Sequence, residues 1–172
     1  TGVQAVGEID LNGRTWPVRW PDALITRRSY EHLIKNIRPT KKIPMRFVSP
    51  TAFRQGNLDL PLPEPEAVFH SWLSHWNDFA PARHRLNTDL LDVVHGSVAI
   101  SAHRLHTEWH DLGRSRIVGF VGRVTYDIID ARRLDQKLVW QLNILADYAP
   151  YCGTGRKTTQ GMGQTRRGRK KG

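Results

Sequence analysis

Between Cys152 and Arg166 the chain reads CGTGRKTTQGMGQTR, a stretch with glycines, basic side chains and hydroxyls and no acid. Gly153, Gly155, Gly161 and Gly163 leave the backbone free to adopt positive φ and to come close to a ligand. Successive exposed N–H groups in such a loop can form a concave nest for an anion. Arg156, Lys157 and Arg166 add charge, and Thr158 and Thr159 add hydroxyl donors. The chemistry suits an anion with several oxygens, most simply a nucleic-acid backbone. Nucleotide-binding loops fit poorly. The spacing lacks the four-residue spacer of a Walker loop, and the stretch follows a predicted helix instead of opening one.

The charge distribution points the same way. The chain of 172 residues has a net charge of +10, with 26 Lys and Arg against 16 acids. All of the acids lie at or before Asp147, and seven basic residues follow it. A nearly neutral body with a strongly basic end fits a polyanionic partner. The terminal RRGRKKG could also be only a solubilising tail, which would not explain the glycine spacing. One cysteine rules out an internal disulfide framework, and a reducing cytoplasm is the expectation. No apolar run is long enough to span a membrane.

The eight histidines divide into groups. His32, His70, His75, His84 and His95 fall in or near predicted helices, as packing or surface positions. His103, His106 and His110 lie in or beside a predicted hairpin, next to Arg104, with Arg114 and Arg116 at or after its turn. From these, His103 or His106, with Arg104, Arg114 and Arg116, are candidates for contact with nucleic acid. His106, Glu108 and His110 recur at every second residue and could hold Zn²⁺ on an extended strand. A turn expected there would break that geometry, so no metal is assigned. Cys152 reads as a small buried residue.

These residues need a scaffold. VQAVGEIDL and TWPVRW read as two strands joined by Asn12-Gly13, a strong hairpin signal. SYEHLIKNI reads as a short helix with Ser29 as its N-cap. KKIPMRFVSPTAF is a strand that Pro44 and Pro50 mark as irregular or at an edge. Val68, Phe69, Trp72, Leu73, Trp76 and Phe79 recur at helical spacing after Pro65, and NTDLLDVVHG forms a second short helix. Two long strands follow, over 98–107 and 117–128, with Val118, Phe120, Val124, Tyr126 and Ile128 on one face. An amphipathic helix over 131–148, ended by Pro150, leads into the glycine-rich stretch, and GMGQTR closes as a strand.

From Lys41 onward the order is strand, helix with a small one, strand, strand, helix, strand. This is the α+β, ferredoxin-like βαββαβ pattern that RNA-recognition domains also use. The expected organisation is part of a second ferredoxin-like domain over 1–40, a complete one with the glycine-rich loop over 41–167, and a basic tail over 168–172.

With the order and loop in place, the sequence resembles the CRISPR-associated repeat-processing endoribonucleases, the Cas-six family of RAMP proteins. CGTGRKTTQGMGQTR is similar to the family's C-terminal glycine-rich signature. MRFVSPTAFRQGNLDLPLPEPEAVFHSWLSHWN is similar to its strand-linker-helix segment. ISAHRLHT and RIVGFVGRVTYDI are similar to its hairpin. The resemblance implies two ferredoxin-like domains and cleavage of CRISPR precursor RNA within each repeat, with no cofactor. The ribose 2′-OH would attack the adjacent phosphate, leaving a 2′,3′-cyclic phosphate and a 5′-OH. It also implies a catalytic histidine on the first helix of the N-terminal domain, a helix expected before Thr1. No residue here is therefore assigned as catalytic. Repeat or guide RNA is the expected partner, with other CRISPR effector subunits or a fused domain as further partners. Two rival readings stay open: a module that holds guide RNA without cutting it, and a metal-dependent hydrolase.

Overall fold

The computed structural model describes residues 5–11, 14–19, 29–113 and 115–168. Strands β1 (Ala5–Leu11) and β2 (Arg14–Arg19) form an antiparallel two-stranded sheet in which Leu11 faces Arg14. The turn residues Asn12 and Gly13 lie outside the described residues. Helix α1 (Tyr30–Lys35) begins at Ser29, whose hydroxyl accepts from His32 N–H at 3.1 Å.

The body is a four-stranded antiparallel sheet in the order β6-β7-β3-β8. Its strands are β3 (Lys42–Thr51), β6 (Val98–Asp111), β7 (Arg116–Ile128) and β8 (Thr165–Arg167). Helices α2 (Pro65–Phe79), α3 (Leu90–Ser97) and α4 (Gln136–Cys152) complete the ferredoxin-like order. The core lies between the sheet and these helices. Ile43, Met45 and Phe47 of β3 meet Val68, Phe69, Trp72 and Trp76 of α2 and Leu142 and Leu145 of α4, all buried. Alternation along β3 leaves Lys42, Arg46 and Val48 on the other face. α1 joins the same helical layer: Leu33 is part of the core, and the Tyr30 ring meets Trp76 edge-on at 5.0 Å.

Some details differ from the sequence reading, each for a physical reason. Of the two alternatives for β3, irregular or edge, the first holds: it is an inner strand with a shifted register. The Pro44 carbonyl, on the same side as its missing N–H, accepts from Gly168 just past the end of β8 at 2.7 Å. Pro50 falls where the β3–β7 register shifts, between Phe47 and Thr51. Pro150 does not end α4, because a proline in the last turn forfeits only one helical bond; the helix stops at Gly153, with φ 73°. β6 continues to Asp111, so His106, Glu108 and His110 do share one strand face. A small hairpin, β4 (Phe53–Gln55) with β5 (Leu58–Leu60), forms around Gly56-Asn57, a stretch that carried no assignment beyond the end of the predicted strand at Phe53.

Candidate nucleic-acid interface

The glycine-rich loop connects α4 to β8 and is sewn to the body by its own backbone. Gly153 N–H donates to Ala149 O, Thr154 N–H to Gly163 O and Gly163 N–H to Pro50 O, each at 2.9 Å. Arg156 N–H donates to Ala52 O at 3.0 Å, and Gly155 N–H to Ser71 Oγ at 2.9 Å. Buried Thr154 receives a bond from Trp72 Nε1 at 2.7 Å and exchanges one with Thr165 at 2.7 Å. Met162 is buried against Ala52 and Ile117.

All four glycines take positive φ, as their type suggested. At Gly163 a Cβ would sit 2.1 Å from Thr154 O, and at Gly155 2.4 Å from Ala52 O, so at these two the close approach is to the protein's own backbone. At Gly161 a Cβ would meet only the His110 ring, in ordinary contact at 3.6 Å. The nest narrows to the turn Thr158–Gln160 and its entry. Lys157 has φ 59°, and the N–H groups of Lys157, Thr158 and Thr159 find no acceptor among the described residues.

The other candidates sort by their neighbours. Arg156 is ion-paired to Asp59 of the missed β4–β5 hairpin, with Arg54 3.6 Å from the same carboxylate. Its charge is paired within the protein, so a phosphate there would compete with Asp59. Lys157 is exposed. His103 and Arg104 project to opposite faces: His103 is level with core-facing Val124, and Arg104 with exposed Arg123. Arg116 stands 5.9 Å from the centre of the Trp109 ring, an exposed pair near the hairpin tip. Arg114 lies outside the described residues, as do Arg169, Lys170 and Lys171.

The three histidine-face residues have partners of their own. His106 Nε2 is 2.7 Å from Glu108, and His110 Nε2–H donates to Gln160 O at 2.8 Å, tying the hairpin to the glycine-rich loop.

Two hollows meet at Thr158 and Thr159. One, of about 470 Å³, is lined by Tyr30, His75, Phe79 and Tyr148. The other, of about 450 Å³, is lined by Gln164 and Arg166. Cys152 borders both, and burial pushes its thiol up to about 12, so it remains protonated at neutral pH and is a poor nucleophile. Burial, and then the hydrogen bond with Tyr30, raises the Tyr148 phenol. His75, which lines the first hollow, donates Nδ1–H to Ser71 O at 2.7 Å. No local pattern singles out this histidine from its neighbours, because its partner is a main-chain carbonyl.

Arg166 and Arg167 also part company. Arg166 is exposed on the open sheet face, whereas Arg167 reaches Asp147 at 2.5 Å and the Asn143 carbonyl at 3.2 Å. A salt titration should reflect this. Deleting residues 169–172 removes three cations; if all three meet RNA, the slope of log affinity against log salt becomes shallower by about 2. An unchanged slope would mark the tail as a bystander. A deletion that also takes Arg167 would confound binding with folding.

Residues 45–165 match the family model described as CRISPR-associated endoribonuclease Cas6. The chain is 26% identical over 117 residues to the CRISPR-associated endoribonuclease Cas6 of Streptococcus thermophilus, covering 68% of this chain and 46% of that protein. It is 28% identical over 127 residues to a protein of the same description from Mycobacterium tuberculosis, covering 74% of this chain and 39% of that one. The chain thus spans less than half the length of these relatives. Among solved structures, a Cas6 product complex superposes with a TM-score of 0.73 at 27% identity, covering 83% of this chain and 57% of that one. Thermus thermophilus Cas6 superposes with a TM-score of 0.73 at 25% identity, covering 81% and 58%.

Proposed function

The chain belongs to the Cas6 family of CRISPR-associated endoribonucleases, and from that premise we propose that it binds CRISPR repeat RNA and takes part in cutting it without a metal ion. The observation that carries the reading is the turn at Lys157–Thr159. It offers three backbone N–H groups with no acceptor among the described residues, two hydroxyls and an exposed cation, all between two hollows. Such a turn suits a phosphate that gains charge during transphosphorylation. The 2′-oxygen would bond to phosphorus as the bond to the 5′-oxygen breaks. One proton would leave the 2′-OH and one would reach the 5′-oxygen. The products would be a 2′,3′-cyclic phosphate and a 5′-OH. Lys157 and the N–H groups would hold the charged phosphoryl oxygens, and neither proton carrier is assigned to a residue of this chain.

The organisation proposed with this activity keeps residues 1–40 as part of a second ferredoxin-like domain, 41–167 as the C-terminal one and 168–172 as a basic tail. Retention of the processed guide RNA, and association with other CRISPR subunits or a fused domain, belong to the same proposal. A second reading, a guide-RNA-holding subunit that does not cut, is favoured by one observation. His110, the histidine that touches the glycine-rich loop, already donates its Nε2 proton to Gln160.

Readout and phosphate holding should separate by mutation. Backbone contacts position RNA, whereas side chains on a rigid element can read it. A-form RNA closes its major groove to side chains, so the hairpin should act at a stem end or an unpaired base. Arg116→Ala and Arg114→Ala are expected to weaken binding of a structured repeat more than that of an unrelated single strand. Lys157→Ala should weaken both alike. Titrations of both RNAs at one salt concentration check this; equal losses from the hairpin variants would make the hairpin merely electrostatic.

A further inference from the structure

Four arginines lie level with one another across the open face of the sheet, one on each strand. Arg104 of β6 faces Arg123 of β7, Arg123 faces Arg46 of β3, and Arg46 faces Arg166 of β8. Directly opposed residues of antiparallel strands project to the same side, so the guanidinium groups form one row. With strands about 4.8 Å apart, the row is about 14 Å long and runs across the strands. All four side chains are exposed, and none forms an ion pair among the described residues. The nearest acids on this face are engaged elsewhere: Glu108 with His106 at 2.7 Å and Asp127 with Lys41 at 3.6 Å.

Like charges set opposite one another destabilise a sheet. A row of four needs an external anion to offset that cost. We propose that this row is a track for the sugar-phosphate backbone of a single RNA strand leaving the glycine-rich loop, a reading that rests on the RNA-binding function above. Arg166 supplies the continuity. It lines the hollow beside Thr158 and Thr159, and also the hollow of about 360 Å³ that holds Arg46 and Arg123. A strand held at the loop can therefore pass Arg166, Arg46, Arg123 and Arg104 in turn.

The occupant's chemistry follows from the neighbours. The row is flanked by Pro44, Val48, Val121 and Thr125, and by one ring, His106, level with Val121 and paired with Glu108. The row therefore offers charge along its whole length and a stacking surface only beside Arg104. An acidic protein surface is the alternative occupant, which the salt titration below separates from RNA. Arg46 and Arg123, which complete the row, carry no signal in the sequence; only the register aligns them.

The test compares wild type with the Arg46→Gln/Arg123→Gln double variant. The probes are a repeat RNA with a single-stranded flank and a uridine homopolymer, each titrated over a range of salt. Loss of two phosphate contacts should make the slope of log affinity against log salt shallower by about 1.4 on both RNAs. The variant should melt no lower than wild type, because opposed like charges are removed. An unchanged slope in a folded variant would overturn the track and turn attention to an acidic protein surface; if the repeat is still preferred, the RNA-processing reading survives that loss. A shallower slope on the homopolymer, with no preference of wild type for the repeat, would keep the track and remove the repeat-processing reading. Failure of wild type to bind either RNA would overturn both.

Discussion

Replacing Gly163 with valine is expected to cost about 3–5 kcal/mol of stability and to abolish RNA binding with it. Gly163 has φ 70°, where a β-branched residue is strained. Its Cβ would stand 2.1 Å from the Thr154 carbonyl oxygen and 3.0 Å from the carbonyl carbon. These are backbone atoms, so no rotamer relieves the overlap. The displaced strand would take with it the bond from Thr154 N–H to Gly163 O and loosen the buried contact of Thr154 with Trp72. Gly161→Ala is the control. It has φ 89°, but its Cβ would make only an ordinary contact with the His110 ring, so about 1–2 kcal/mol of backbone strain is its main cost. Denaturation midpoints decide between them. Equal midpoints for Gly163→Val and wild type would mean that the loop is not held as described.

The second large effect separates two neighbouring arginines. Arg167→Ala should lower stability by about 2–3 kcal/mol while leaving the RNA salt slope of the folded protein unchanged. Its guanidinium bridges Asp147, the Asn143 carbonyl and side chain, and Thr40, so its loss leaves the Asp147 carboxylate without its ion-pair partner and Asn143 Oδ1 with only its bonds from Thr40. Arg166→Ala should do the reverse. It points to the open face, has no ion-pair partner among the described residues, and should reduce RNA affinity at almost no cost in stability. A one-residue step along a strand exchanges faces, and this pair turns that rule into opposite phenotypes. Melting temperature and salt-dependent affinity, measured on both variants, check it. Similar profiles for the two would contradict the register of β8.

How far the sequence could be read follows from where each signal resides. The element order from Lys41 was legible because its apolar spacing is strong: Phe69, Trp72 and Trp76 at helical spacing, and Phe120, Val124, Tyr126 and Ile128 at strand spacing, are all buried. Phe79 kept the helical period but is exposed, since α2 ends there. The loop was found by composition, and its glycines take the positive φ expected of them. Composition cannot distinguish a close approach to a ligand from a close approach to Thr154. The ion pair of Arg156 was not legible either, because Asp59, its partner, is 97 residues away in sequence. The arginine row depends on register in three strand pairs, which no local pattern encodes. His106, Glu108 and His110 were dismissed because a turn was placed too early, whereas Gly113 sets the turn after Asp111.

In the function proposed above, this chain engages CRISPR repeat RNA through the turn at Lys157–Thr159 and serves metal-free transphosphorylation. The most direct measurement incubates it with end-labelled repeat RNA in EDTA and resolves both the bound fraction and the ends of any product. The expected result is binding that EDTA does not change, that is weakened by Lys157→Ala, and that is accompanied by cleavage at one position in the repeat to give a 2′,3′-cyclic phosphate and a 5′-OH. Binding without cleavage would contradict the catalytic part and leave the guide-holding reading. Cleavage restored only by a divalent metal, or leaving a 5′-phosphate, would contradict the account itself.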